Sequence, residues 1–207
     1  MSAAEPYLAA PDHAVPDAAL DTIFRAARTL RQWQDKPVTP ALLMAIYDLV
    51  RMGPTESNIT PARFHFIVSQ EAKARLEPLL DEGNRKQTMS APATAIIGYD
   101  LDFARTLSTL APQAKGLSEK LAHDPAKNEL MVTRSAGLQG GYFIVAARAL
   151  GLDCGPMSGF DRAGVDREFF AGTQIKSYFL CNIGYGDGTG LRPRAARLGF
   201  DEACKIL

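Results

Sequence analysis

The feature that most constrains the fold is a long apolar segment that ends at a glycine. Ser135 to Leu150 is apolar on nearly every side of a helix, which predicts a helix buried centrally or at a subunit interface. It carries Gly137, Gly140 and Gly141. Because glycine lowers helix propensity, we expect another backbone to pack closely against this helix. Gly151 then supplies the left-handed turn at which helices commonly end.

A tight glycine- and proline-containing turn follows this helix. It reads Leu150-Gly-Leu-Asp-Cys-Gly-Pro-Met-Ser-Gly-Phe160, with the small residues Ser158 and Gly159 at its tip. Small residues let a flat ring approach the backbone closely. The turn is therefore a candidate site for a planar ligand, with the rest of the chain organised around it.

Hydrophobic periodicity and capping residues place the other elements. A helix is predicted from Asp17, as its cap, to Leu30, and another begins at Thr39-Pro40. The longest helix is predicted over 126–150, and 100–121 is partly helical, either as a lid over a pocket or as a surface excursion. Strands are predicted at Arg63–Val68, Ala93–Tyr99 and Ile175–Ile183, a helix from Ser69 to Leu80, and a polar link at Gly83–Gln87.

Composition limits the class of protein. Of 207 residues, 46% are apolar and 22% charged, and 23 basic residues balance 23 acidic ones. These fractions are typical of a globular protein. With zero net charge there is no overall field to hold nucleic acid or an anionic membrane, so we expect neither partner. Any bound anion must be held by a local cluster of charge.

The cysteines and the N-terminal residues indicate where in the cell the protein is expected. The three cysteines show no CxxC spacing, which is consistent with reduced thiols in a cytoplasmic protein. Residues 1–16 are rich in Ala and Pro and lack a basic region followed by an apolar stretch. We expect a mobile leader there and not a signal peptide. The remaining residues, 17–207, are predicted to form one domain.

Two polar clusters are candidates for anion binding. Arg25, Arg28 and Arg31 recur at steps of three on the first predicted helix, either as a solvated basic face or as a phosphate clamp. The loop Gly53-Pro-Thr-Glu-Ser-Asn-Ile-Thr-Pro61 is dense in hydroxyls and contains an amide. Such a loop can bind a phosphate or the polar edge of a ring, or it can be ordinary turn chemistry.

Several familiar catalytic motifs are missing from the sequence. There is no P-loop, and the glycine-rich run 184–190 does not fit GxGxxG. The three histidines lack metal-ligand spacing, and Ser158 is not in a GxSxG elbow. Cys154 has no paired histidine and is interpreted as an inert small residue. An enzyme without a recognisable nucleophile, metal site or acid/base pair would depend on an organic cofactor for its chemistry.

Three motifs in order resemble FMN-dependent nitroreductases. Ala27-Arg-Thr-Leu-Arg-Gln-Trp33 with Lys36-Pro-Val38 is similar to "RRSxRxF…KPV", and the loop 53–61 is similar to "aPSxxNxQP". The turn 150–161 is similar to "LGLDxxPxxGFD". Within the family, Gly155-Pro-Met-Ser-Gly-Phe-Asp-Arg162 looks most like the malonic semialdehyde reductases of the Rut pyrimidine-degradation route.

The resemblance implies a fold, an assembly and a cofactor. The fold is α+β, with a central, mostly antiparallel sheet flanked by helices. The assembly is an intertwined homodimer with FMN at the subunit interface, and NADPH or NADH is the co-substrate. The implied reaction is reduction of malonic semialdehyde to 3-hydroxypropionate. The alternatives are a nitro- or quinone reductase of broad acceptor range and a flavin-binding protein without turnover.

The resemblance also assigns residues to FMN. Arg28, Thr29 and Arg31 match positions that hold the FMN phosphate and the nearby ring edge. Arg197 matches the C-terminal arginine that completes the phosphate site, with Arg194 a weaker candidate. Thr55 and Asn58 match the Ser and Asn of the family loop, contributed in the dimer by the other subunit. Asn84 matches a family asparagine that touches the cofactor. Met157, Ser158 and Gly159 match the turn beside the isoalloxazine. The chain departs from the family pattern at Ala27, where an arginine is usual, and at Ser158, where nitroreductases often have an acidic residue.

Overall fold

The chain folds around one antiparallel sheet. The computed structural model describes residues 14–114 and 116–207. The sheet has four strands in the order β1-β2-β4-β3, all antiparallel. The strands are β1 (Ala62–Ile67), β2 (Ala93–Asp100), β3 (Asp153–Met157) and β4 (Ile175–Gly184). The α+β fold with a central antiparallel sheet is confirmed, whereas most of the proposed leader lies outside the described residues and stays a prediction.

Helices flank both faces of the sheet. Short 3-10 turns lie at Glu56–Asn58, Glu77–Leu79 and Phe103–Thr106, and a π-type turn, Asp21–Arg25, continues the first helix. The helices are α1 (Asp17–Leu20), α2 (Pro40–Val50), α3 (Gln70–Leu76), α4 (Glu82–Ser90), α5 (Leu107–Leu110), α6 (Leu117–Ala122), α7 (Pro125–Ala149), α8 (Arg162–Phe169) and α9 (Phe200–Ala203). None of the helices in the described ranges combines the length and the apolar character that crossing a bilayer requires.

Side-chain caps fix where the helices begin. The hydroxyl of Thr39 accepts a hydrogen bond from the Leu42 amide, and Pro40 takes the first helical position, as the sequence predicts. Ser69 and Asp161 cap α3 and α8 in the same way. Asp17, by contrast, is the first residue of α1 and does not cap it. Its carboxylate pairs instead with Arg25, 2.8 Å away.

The end of α7 confirms the role of Gly151. This residue has φ +79°. Its amide donates to the Arg148 carbonyl at 2.9 Å, and the Leu152 amide donates to the Ala147 carbonyl at 2.9 Å. These two bonds form a Schellman motif, which satisfies carbonyls that the helix end would otherwise leave unpaired. The motif turns the chain directly into β3.

The core has a layer on each face of the sheet because successive strand residues point to opposite sides. Ala95 and Ile97 of β2 pack under α2 and α7, against residues such as Phe143. Ile96 faces the other way and packs with Leu180 among the residues of α3 and α8. Every residue of β2 is buried, which places this strand at the centre of the fold.

The segment 101–122 packs on the N-terminal half of α7. Phe103, Leu107 and Leu121 are buried there against Met131 and Val132. Val132 and Arg148 are 16 residues apart on the helix, which corresponds to about 24 Å at 1.5 Å per residue. Within one chain the segment therefore lies toward the opposite end of α7 from Arg148.

The predicted first helix ends much earlier than Leu30. Helical geometry stops at Arg25, and residues 26–33 are not helical. The Leu30 amide donates to the Cys154 carbonyl at 3.0 Å, and Thr29 forms a parallel bridge with Cys154. Pairing with the free edge of β3 outweighs the helical periodicity of this segment. The prediction that Arg28 and Arg31 share a helix face is wrong.

The predicted polar link at 83–87 is part of helix α4. The prediction is wrong because the buried face of α4 is formed by polar side chains, Gln87 and Thr88. Both are hydrogen-bonded inside the protein. A helix whose buried residues are polar shows no apolar stripe, so periodicity does not reveal it.

The Gly/Pro turn at 151–160 contains a strand. Residues 153–157 pair with β4, Pro156 lying opposite Cys181. Gly155 allows the chain at residue 30 to cross closely, since a Cβ there would lie 2.6 Å from the Leu30 carbonyl oxygen. This close approach supplies a structural reason for a glycine in the strand.

Helix α7 is not buried on all sides within one chain. Leu138 and Tyr142 are 52% and 42% exposed. The expectation of close packing holds for Gly140, where a Cβ would lie 2.6 Å from the Phe179 ring, a side chain and not a backbone. Gly141 faces open space. One face of the helix is thus apolar and uncovered in the single chain.

Candidate functional site

A cleft of about 650 Å³ lies where the chain segments 27–32 and 189–197 meet the C-terminal end of α7. Arginines dominate its lining, and no Asp or Glu of the described residues contributes to it. The lining contains five residues predicted from the sequence, namely Arg28, Thr29, Arg31, Arg194 and Arg197. It also contains residues that the sequence did not single out, including Gln32, Arg148 and Arg192. Five of the predicted residues are therefore brought together.

The positive charge of this cleft is not neutralised by the protein. Among the described residues, none of its six arginines has a carboxylate within 4.0 Å. Several donate to backbone carbonyls instead, Arg28 to Arg192 and Arg194 to Ala27 (3.0 Å). Carbonyls orient a guanidinium but do not cancel its charge. The cleft is consequently suited to a multiply charged anion.

Arg148 is a site residue that sequence reasoning missed. It lies in the last turn of α7 with its side chain half-buried. Its Nη1 donates to the Ile23 carbonyl at 3.2 Å, whereas its Nε is buried and has no hydrogen-bond partner. The available signal is that Arg148 is the one charged residue in the second half of α7, from Ser135 onward, at the helix end where the dipole favours a cation.

A second group of predicted residues meets where β3 ends and α4 passes. The Asn84 Nδ2 donates to the Gly159 carbonyl at 2.8 Å. A Cβ on Gly159 would lie 2.6 Å from both Asn84 Nδ2 and Asp81 Oδ2. The glycine is thus required for packing against α4, in addition to any ligand that approaches the turn. Ser158, beside it, is exposed.

A buried hydrogen-bond relay supports the turn from below. Thr94 Oγ1 donates to Asn182 Oδ1 at 2.7 Å, and Asn182 Nδ2 donates to Thr88 Oγ1 at 3.2 Å. Thr88 Oγ1 then donates to the Met157 sulfur at 3.5 Å. All three polar residues are fully buried. The relay satisfies them and fixes Met157 relative to the central strand.

Trp33 and Gln87 join the two groups. The Trp33 Nε1 donates to the Gln87 carbonyl at 3.0 Å, and the Gln87 Nε2 donates to Asn84 Oδ1 at 2.6 Å. Trp33 and Gln87 also line a smaller cleft of about 350 Å³ with Arg31. A chain of hydrogen bonds through Trp33, Gln87 and Asn84 therefore connects the segment that carries Arg31 to the 157–159 turn.

Thr55 and Asn58 lie elsewhere in the same chain. The Thr55 hydroxyl accepts from the Thr60 amide at 3.1 Å, and Asn58 donates to the Leu110 carbonyl at 2.7 Å. Their loop is held against α7 by a bond from the Glu56 amide to Ser135 Oγ, 3.3 Å long. Ser135 is 13 residues from Arg148, or about 20 Å along the helix. One chain does not bring this loop to the arginine cleft.

The cysteines and possible metal ligands do not form a reactive centre. Cys154 and Cys181 are fully buried in the core. A hydrogen bond with Cys154, together with burial, raises the pKa of the Cys181 thiol well above its ordinary value, so it stays protonated. Throughout the part of the chain that the structure describes, no three His, Cys, Asp or Glu side chains are grouped to hold a metal ion. The interpretation of Cys154 as a packing residue agrees with its burial.

The fold and this surface define an α+β protein with an arginine-lined anion cleft beside the last strand of its sheet. The profile of the Nitroreductase family matches residues 24–185. The chain belongs to the Nitroreductase family.

Relatives of known name support the assignment. A Leptothrix cholodnii protein named "Putative NADH dehydrogenase/NAD(P)H nitroreductase" is 53% identical over 94% of this chain and 99% of its own length. A protein of the same name from Stenotrophomonas maltophilia is 56% identical over 94% of this chain and 98% of its own. The sequence and these relatives are thus similar along almost their whole lengths.

Solved structures confirm the fold. A nitroreductase family protein from Streptococcus pneumoniae aligns with a TM-score of 0.79 at 21% identity, covering 92% of this chain and 98% of that one. A "putative nitroreductase in complex with FMN" from Exiguobacterium sibiricum aligns with a TM-score of 0.77 at 21% identity, covering 91% and 96%. At such identities the likeness establishes the fold alone.

Proposed function

We propose that the chain is an FMN-dependent NAD(P)H oxidoreductase that reduces malonic semialdehyde to 3-hydroxypropionate in the cytoplasm. Overall, the aldehyde takes up a hydride and a proton while NAD(P)H becomes NAD(P)⁺. When bound, FMN supplies the two-electron carrier between the two substrates.

The observation that carries the proposal is the uncompensated arginine cleft. These guanidiniums have no carboxylate partner among the described residues. An FMN phosphate carries multiple negative charge and several oxygen atoms that can accept their hydrogen bonds. A unit charge pair about 4 Å apart gains roughly 4 kcal/mol at an effective dielectric of about 20, before desolvation. Arg28, Arg31, Arg194 and Arg197 would bind the phosphate, with Thr29 adding a hydroxyl donor. The residues present fit the cofactor.

The 157–159 turn would then face the ring system. Hydrogen bonds through Trp33 and Gln87 fix the position of this turn relative to the segment that carries Arg31. Asn84, Met157, Ser158 and Gly159 are the residues proposed to lie along the isoalloxazine. The buried relay beneath Met157 holds this surface in place before the ligand arrives, which reduces the cost of ordering it on binding.

The reductant and the aldehyde acceptor are proposed on grounds other than the arginine cleft. The relatives' names favour a nicotinamide as reductant without deciding between NADPH and NADH. Malonic semialdehyde is proposed from the resemblance of residues 155–162 to the reductases of that aldehyde. Solvent is the proposed source of the proton, since the surface around Ser158 is exposed.

The first experiment is a visible absorption spectrum of the purified protein followed by anaerobic titration. We expect flavin bands that bleach with NADPH or NADH and return when malonic semialdehyde is added. Bands that return only with a quinone or a nitroarene would replace the aldehyde by a broad acceptor range. Bands that no nicotinamide bleaches would indicate a flavin-binding protein without turnover. Protein that stays colourless after FMN is added back would contradict the cofactor itself.

We also propose that the active protein is a homodimer. Met44 and Tyr47 on α2 are 68% and 48% exposed, and α2 packs against α7, on which Leu138 and Tyr142 are also exposed. Exposed apolar surface of this kind marks an interaction site. A partner on this face would bring its own Thr55–Asn58 loop toward the cofactor, which accounts for the distance of that loop from the arginine cleft within one chain.

Leu138→Glu tests the dimer. We expect the variant to elute with the mass of one 22.4 kDa chain, because burying an unpaired carboxylate in an apolar interface is strongly unfavourable. It should also lose flavin, since the partner's loop is no longer available. Light scattering after gel filtration measures the mass. Val68→Glu, at another exposed apolar residue, is the control and should behave as wild type. A wild-type protein that is monomeric and yellow would contradict the proposal.

A further inference from the structure

We propose that Arg148 is an additional ligand of the cofactor phosphate, which it reaches from the central helix α7. The proposal rests on the FMN function above and adds a residue to it. All the other arginines of the cleft lie on the non-helical segments 28–31 and 192–197. Arg148 is the one among the cleft-lining arginines of the described chain that lies on a regular helix.

The hydrogen bonds of Arg148 leave one edge of its guanidinium available. A guanidinium has five N–H donors. Nη1 is occupied by the Ile23 carbonyl, whereas Nε is buried with no acceptor. The two N–H groups on Nε and Nη2 form a parallel fork that fits two oxygens of a phosphate or carboxylate. An unpaired buried donor is unfavourable, and a small turn of the side chain toward the cleft that Arg148 lines would let a bound anion accept from Nε.

The surroundings of Arg148 favour an external anion over an internal one. No carboxylate of the described residues lies within 4.0 Å of it, and none lines the cleft. The carbonyl of Arg148 also accepts from the Gly151 amide in the Schellman motif that turns the chain into β3. An anion bound there would therefore be tied both to the core helix and to the strand that carries Met157.

The position on α7 gives Arg148 a different role from the surface arginines. Arg194 and Arg197 also donate to backbone carbonyls, but they are exposed and lie on a segment without regular structure, so ordering that segment costs conformational entropy. The stem of Arg148 is already half-buried and its Nη1 already anchored. Its guanidinium is preorganised, and less entropy is lost when it binds.

The test compares FMN with riboflavin, which has the same ring system but no phosphate. Flavin-free full-length protein is titrated with each compound, and binding is followed by quenching of flavin fluorescence. For Arg148→Gln we expect the FMN dissociation constant to rise about 10- to 100-fold, the loss expected for a charge-assisted hydrogen-bond pair. The riboflavin constant should change by less than about threefold, because the ring contacts remain.

A loss of affinity for FMN but not for riboflavin distinguishes a residue that binds the phosphate from one that only supports the fold. Equal weakening of both flavins by Arg148→Gln would show that Arg148 only supports the fold, and no weakening of either would also overturn the proposal. Arg134→Gln is the matched control, because Arg134 is on the same helix but exposed and outside the cleft. It should leave both constants unchanged.

Arg148→Lys keeps the test informative if the glutamine variant does not fold. Lysine retains the charge and most of the buried stem but lacks Nε and the fork. We expect the ratio of the riboflavin to the FMN dissociation constant to lie between the ratios of the wild type and the glutamine variant. A ratio equal to that of the wild type would contradict the proposal that Nε and Nη2 together bind the phosphate. A wild-type protein that binds FMN no more tightly than riboflavin would instead contradict the phosphate cleft, and one that binds neither flavin would contradict the proposed function.

Discussion

Replacing Arg28 and Arg197 together by alanine should release FMN while leaving the chain folded. The two residues lie on opposite segments of the arginine cleft. Each charge-assisted hydrogen bond contributes about 1.5–3 kcal/mol. Loss of both should weaken FMN binding about 10²- to 10⁴-fold. Both side chains donate only to backbone carbonyls, so the fold does not depend on a buried ion pair at either position.

The measurement is the flavin content of the purified variant together with its far-ultraviolet circular dichroism and melting curve. We expect a colourless protein with a spectrum like that of the wild type. Lys120→Ala with Arg167→Ala is the control, because it removes two positive charges from exposed residues outside the cleft. It should stay yellow. A double arginine variant that keeps its flavin would show that the phosphate binds elsewhere.

Asp100→Asn should cause the largest loss of stability among single substitutions that conserve shape. Asp100 is fully buried at the end of β2. Its carboxylate accepts from Arg63 Nη2 at 2.9 Å, from Arg105, and from the Asp102 amide at 3.0 Å. Removing its charge leaves two arginines without their buried partner. We expect the free energy of unfolding to fall by about 3 kcal/mol, near the lower end of the range for a broken buried pair.

Urea denaturation of the two proteins measures this loss. Asp102→Asn is the matched control, since that carboxylate is 52% exposed and 3.4 Å from Arg105. An exposed pair contributes less than about 1 kcal/mol. Asp100 pairs with Ile175, whereas the flavin surface adjoins the Gly184 end of β4, so folded Asp100→Asn should still bind FMN. Equal stabilities of the two variants would show that the buried carboxylate has no special role.

Local signals in the sequence were sufficient where a few neighbouring residues decide the structure. Thr39 with Pro40 starts α2, and Gly151 ends α7, because caps act on adjacent backbone groups. The central strand 93–99 is buried at every position, so its apolar run alone reveals it. The three motifs that resemble nitroreductases lead to the family that the comparisons then confirm.

Local signals failed where a partner distant in sequence decides the structure. Residues 26–33 have a helical pattern, yet pairing with Cys154 holds them extended. Residues 83–87 look like a link, yet buried polar contacts with Met157 and Asn182 make the helix α4 part of the core. Periodicity describes only how apolar a segment is, and it contains no information about which strand edge or polar partner is available.

The sequence by itself determined the family, the antiparallel sheet, the helix ends at Thr39, Ser69 and Gly151 and most residues of the proposed FMN site, since these depend on motifs and short-range chemistry. Only the tertiary structure decided that Arg28 meets Arg192, 164 residues away, and that Arg148 joins them from α7. It also decided that Thr55 and Asn58 lie apart from them. The physical reason is that a site assembled from distant segments exists only after the core has packed. Sequence spacing identifies its parts, and packing fixes their distances.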